Sequence, residues 1–158
     1  ISLRGYVSTA FWCPYEGRVE PERAVAVIRR LLDTGVEEVS IGDTIGKATP
    51  AEVRALLERL LPHVPAAKLA MHLHDTHHHA VANALEAWRM GVTAFDASTG
   101  GIGGCPYAPG ASGNLATEAL IKALAAAGAP VDADAAALRH ARRLIGVALG
   151  RPLVEPAP

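Results

Sequence analysis

Four short runs of β-forming residues recur along this chain, and apolar residues at helical spacing follow each of them. No single residue constrains the fold as much as that alternation. A strand, a covering helix and a next strand on the same sheet require a parallel α/β layer. The strand candidates are residues 3–8, 38–42, 68–74 and 93–97. After the first, Ala24, Val25, Val27, Ile28, Leu31 and Leu32 repeat at i, i+3, i+4 and i+7. Pro21 suits the first turn of that helix and Gly35 its stop. Thr49-Pro50-Ala51-Glu52 reads as a capping box, opening a helix that carries Val53, Leu56, Leu57, Leu60 and Leu61. Further helices are expected over 78–90, 115–127 and 134–149. Units of roughly 30 residues are those of a TIM (β/α)8 barrel, and this chain holds about four of them. Residues 1–150 read as one such half-barrel domain and 151–158 as a loose tail.

At 158 residues the chain can bury a real core. Fifteen Lys and Arg against 16 Asp and Glu leave a net charge of -1, with no basic run, so nucleic acid is not an expected partner. Charges break every apolar stretch before the roughly 18 residues that a membrane span needs, so no membrane is expected either. Two cysteines, Cys13 and Cys105, are too few for a disulfide framework, which points to a reducing cytoplasm. The chain starts at Ile1 rather than at methionine, so a piece of a longer or processed protein is expected.

The chemistry-bearing residues gather at the C-terminal ends of the expected strands, the rim where parallel α/β folds place their sites. His72 and His74 are two apart on a strand, face the same side and can reach one metal ion, with Asp75 next to them. Asn114 can add a side-chain oxygen, although its place before a helix suits an N-cap, and spacing alone favours the cap. Asp43 reads equally as a site carboxylate or as a strand-ending turn residue. Cys105 lies in a Gly-rich loop and reads as a reactive thiol, whereas Cys13 reads as structural. His77, His78 and His79 are expected in the first turn of the third helix, mostly solvated. Arg4, Arg29-Arg30 and Arg142-Arg143 read as surface charges.

Taken together these residues resemble the 3-hydroxy-3-methylglutaryl-CoA (HMG-CoA) lyase family over nearly the whole chain. The resemblance is carried by Cys13-Pro14-Tyr15-Glu16-Gly17, Gly42-Asp43-Thr44-Ile45-Gly46, His72-Leu73-His74-Asp75-Thr76 and Gly103-Gly104-Cys105-Pro106-Tyr107. The run from Ala108 to Glu118 completes it. It implies a metal-dependent carbon–carbon lyase that splits HMG-CoA into acetyl-CoA and acetoacetate. His72, His74 and Asn114 would hold a divalent cation, Mg or Mn. Cys105 would be the general acid, and Asp43 the carboxylate beside an acyl-CoA substrate.

Two departures bear on that expectation. The chain begins where the family's fifth barrel strand would, so the Arg-Asp pair of the first strand has no counterpart. His77-His78-His79 stands where the family usually has Tyr-Gly-Gln. Four strands leave two open edges, so a homo-oligomer or pairing with a missing N-terminal half-barrel is expected. The alternatives are a related synthase condensing an acyl-CoA with a 2-oxo acid, which would not need Cys105, and a catalytically incomplete half-barrel.

Overall fold

A computed structural model describes residues 1–104 and 113–153. Strands β1 (Arg4–Val7), β4 (Glu38–Asp43), β5 (Leu69–Leu73) and β6 (Ala94–Asp96) form one sheet in the order β1-β4-β5-β6, every neighbouring pair parallel. Helices α1 (Pro21–Asp33), α2 (Pro50–Leu60) and α3 (Ala80–Arg89) make the successive crossovers, and α4 (Thr117–Ala126) and α5 (Ala135–Ala148) follow β6. A short hairpin, β2 (Trp12–Cys13) and β3 (Gly17–Arg18), interrupts the first crossover. It was not expected, because two-residue strands carry no readable alternation.

Alternation along the strands divides the sheet into two faces. Val39, Ile41, Leu69, Met71 and Leu73 are fully buried and pack with Ile28 of α1, with Val53, Leu56, Leu57 and Leu60 of α2, and with alanines of α3. The register sets Arg4 beside Glu38, Tyr6 beside Ser40, and Gly42, His72 and Asp96 in one row, all on the opposite, concave face. That face is polar, and Tyr6 on it is 59% exposed.

The helix starts follow local chemistry. Thr49 accepts from Glu52 N–H while the Glu52 carboxylate takes Thr49 N–H at 2.9 Å, so the capping box forms as expected. Asp134 caps α5 through the amides of Ala136 and Ala137. Two expectations are corrected. The N-cap of α4 is Ala116, not Asn114, which sits in an isolated antiparallel bridge with His74. Helix α3 starts at Ala80 rather than in the histidine run: His79 is its N-cap, and His78 has a left-handed φ of 59° that a helix cannot hold.

Arg151 N–H bonds to Gly146 O, so the first residues of the expected tail fold back on α5. No helix among the described residues is long and apolar enough to cross a membrane. Replacing fully buried Leu57 by Ala is expected to cost about 2–5 kcal/mol in urea unfolding. Thr49→Ala should cost about 1 kcal/mol by the same measurement, through loss of the cap alone.

Candidate metal centre

His72 and His74 stand at the end of β5 with ring centroids 5.1 Å apart and planes at 77°. His74 is buried, and its Nδ1 lies 3.0 Å from the Asp43 carbonyl oxygen. A carbonyl can only accept, so Nδ1 carries the proton and Nε2 the lone pair. His72 Nδ1 lies 3.4 Å from Asp96 Oδ2. Burial, and next the neighbouring His74, holds the His72 imidazole below its usual range, favouring the neutral form that ligates metals.

Asn114 reaches this pair from a different part of the chain. Leu115 N–H bonds to Leu73 O at 2.9 Å and Asp75 N–H to Gly113 O at 3.0 Å, which lays Asn114 alongside His74. Its Nδ2 donates to Ile102 O at 3.0 Å, fixing which way the amide points. Oδ1 is left buried without a hydrogen-bond partner among the described residues. Such an atom costs about 1–3 kcal/mol unless something takes its lone pair. Gly103 permits this arrangement: its φ is 101°, and a Cβ there would lie 2.5 Å from Asn114 Nδ2.

Asp43 is fully buried at the end of β4. Its Oδ1 accepts from Lys47 N–H at 3.1 Å and its Oδ2 from Ala48 N–H at 3.0 Å. Burial pushes its carboxyl up to about 6, with the two amide donors pulling the other way. In this geometry the carboxylate holds the turn after β4, and the carbonyl of the same residue holds His74. Asp75 is likewise occupied: its Oδ1 accepts from Ala80 N–H at the start of α3.

The resulting donor set is two imidazoles and one amide oxygen, all neutral. No group of three or more His, Cys, Asp or Glu side chains among the described residues could hold a metal ion. The mixed nitrogen and oxygen set, and the orphaned Asn114 Oδ1 above all, nonetheless fit a divalent cation that takes its remaining ligands from elsewhere.

Nearby, Trp12, Lys47, Thr49, Glu52, His77 and His79 line an open cavity of about 560 Å³. Lys47 Nζ sits 3.8 Å over the Trp12 ring, and His79 Nδ1 lies 3.2 Å from Ala48 O. Cys105 lies outside the described residues. Cys13 is a half-buried free thiol on β2.

Sequence reasoning missed three residues on the concave face. Arg4 is exposed, as expected of a surface charge, but it also pairs with Glu38 and reaches Asp96 Oδ1 at 2.7 Å from the opposite edge of the sheet. Ser40 donates to Asp96 Oδ2 at 2.9 Å. Strand alternation was the available signal, but it gives a face only once the register is known.

A family profile described as HMGL-like matches residues 4–145. The mitochondrial hydroxymethylglutaryl-CoA lyase of Bos taurus is 47% identical over 151 residues, 96% of this chain and 46% of its own length. The Bacillus subtilis HMG-CoA lyase structure aligns with a TM-score of 0.92 at 44% identity, covering 98% of this chain and 52% of that one. An HMG-CoA lyase from Acinetobacter baumannii, solved with coenzyme A and 3-methylmalate, aligns with a TM-score of 0.86 at 34% identity, over 98% of this chain and 55% of that one. The chain therefore spans about half the length of these relatives, and its parallel sheet and helices cover part of a TIM barrel.

Because the Asp43 carboxyl titrates near 6 when folded and near 3.9 when unfolded, the folded chain binds the extra proton between those values. Its contribution to stability is present in full below about pH 4 and is lost as pH rises to about 6, by roughly 2–3 kcal/mol. Asp43→Asn should flatten that part of the profile in urea unfolding measured from pH 3.5 to 7.

Proposed function

The chain belongs to the HMGL-like family, and we propose that it carries the metal-and-thiol half of an HMG-CoA lyase site. The reaction is cleavage of HMG-CoA to acetyl-CoA and acetoacetate. His72, His74 and Asn114 hold a divalent cation, Mg or Mn. Cys105 is the general acid, and Asp43 is a positioning residue that fixes His74. The observation that carries this reading is Asn114 Oδ1, buried and without a partner among the described residues, beside a histidine whose Nδ1 is turned to a carbonyl.

The chemistry balances without a further reactant. The tertiary hydroxyl of the substrate gives its proton to solvent water, which later returns one to the thiolate, and becomes the ketone of acetoacetate. The carbon–carbon bond breaks, and its electron pair becomes the enolate of acetyl-CoA. The Cys105 S–H protonates that carbon, and the thiolate regains its proton in the next cycle. A bound cation supplies the polarisation of the substrate's hydroxyl and carboxylate oxygens that eases the first proton loss. Burial holds the His72 imidazole below its usual range, which favours the neutral ring that such a role needs.

The half-length match favours a second reading, in which this chain binds the ion but turns over substrate only when the rest of a barrel is supplied. Calorimetric titration of the full chain with Mn2+ tests the shared premise. Binding is expected in the wild type and should weaken at least about tenfold in His74→Ala and Asn114→Ala. Equal affinity in all three chains would sink the assignment. Acetoacetate release from HMG-CoA then separates the readings. Turnover that chelator abolishes and Cys105→Ala reduces by about 100-fold or more supports the lyase, and binding without turnover supports the second.

A further inference from the structure

Asp96 occupies a position that its place in the sequence does not advertise. It ends β6 in direct register with His72 on β5, and both face the concave side of the sheet. Three groups converge on its carboxylate. Arg4 Nη1 donates to Oδ1 at 2.7 Å, Ser40 Oγ donates to Oδ2 at 2.9 Å, and His72 Nδ1 lies 3.4 Å from the same Oδ2. Tyr6 stands edge-on to the His72 ring, with ring centroids 6.4 Å apart.

We infer that Asp96 is the positioning residue of His72: its carboxylate keeps the proton of the neutral ring on Nδ1 and so leaves Nε2 as the lone-pair nitrogen. A carboxylate oxygen 3.4 Å from Nδ1, although no hydrogen bond forms between them in this structure, favours the ring tautomer with the hydrogen on the nitrogen that faces it. Arg4 and Ser40 hold that carboxylate in place. The two histidines then receive the same tautomer from two different acceptors, Asp96 for His72 and the Asp43 carbonyl for His74. Outer-shell acceptors of this kind orient metal-ligating histidines and raise their basicity. The ligating use of Nε2 rests on the metal reading proposed above, but the tautomer does not.

Asp96→Asn separates this role from simple pairing with Arg4. The guanidinium has only donors, so it keeps the amide oxygen toward itself. The amide NH2 then faces His72, makes Nδ1 an acceptor and moves the ring proton to Nε2. Long-range 1H–15N NMR of the labelled full chain at pH 8 reads the tautomer directly, and the backbone amide spectrum reports that the fold is kept. The expected result is Nδ1–H at His72 in the wild type and Nε2–H in Asp96→Asn, with His74 unchanged.

Nε2–H at His72 in the wild type overturns the inference, even where the variant does not fold, and so does an unchanged tautomer in a folded variant. Mn2+ titration of the same samples should show about 10–100-fold weaker binding in Asp96→Asn. A wild type that binds no Mn2+ removes the metal reading and leaves the tautomer to decide Asp96 alone.

Discussion

Two backbone hydrogen bonds, Leu115 N–H to Leu73 O and Asp75 N–H to Gly113 O, hold the site together. They bring Asn114 across about 40 residues of sequence to lie against His74. Without them the Asn114 amide has no reason to stand at the end of β5. With them, its donor side is occupied by Ile102 O and its acceptor side is left in a buried position with no partner among the described residues. Folded proteins rarely leave such an atom unpaired unless a ligand takes it.

A second constraint runs beneath the site. The Arg4–Asp96 ion pair joins β1 to β6, the two edge strands, across the concave face of a four-stranded sheet. Partly exposed pairs contribute little to stability by themselves. Here geometry matters more than energy: the contact requires the sheet to curve until its edges approach, as strands of a barrel do. The same carboxylate also lies 3.4 Å from His72 Nδ1, so one side chain meets both the far edge strand and the ring at the end of β5.

Much of the fold was legible because its signals are local. Apolar spacing in α1 and α2, Gly35, and the Thr49–Glu52 box act over a few residues, and the structure follows them. The rim location of His72 and His74 was legible for the same reason, since alternation places both on one face. Spacing alone misread Asn114, because its local environment, a polar residue just ahead of a helix, describes a cap; only the resemblance made it a ligand. The bridge that overrides it is made by residues 73–75, which no local pattern connects to 113–115. Asp96 and Arg4 were missed on similar grounds: each looks like an ordinary charge at a strand terminus, and the register itself sets Arg4 level with Glu38 but Asp96 level with His72 and Gly42, so only the folded sheet brings the two together. His77–His79 failed differently, because the left-handed His78 turns the chain before α3 begins.

The central claim is that His72, His74 and Asn114 form a single cation site. Anomalous diffraction from crystals of the full chain grown with Mn2+ tests it most directly. The account predicts one strong peak within coordination distance of both His Nε2 atoms and Asn114 Oδ1. A peak elsewhere with this triad empty, or a water hydrogen-bonded to Asn114 Oδ1 at saturating Mn2+, would contradict it.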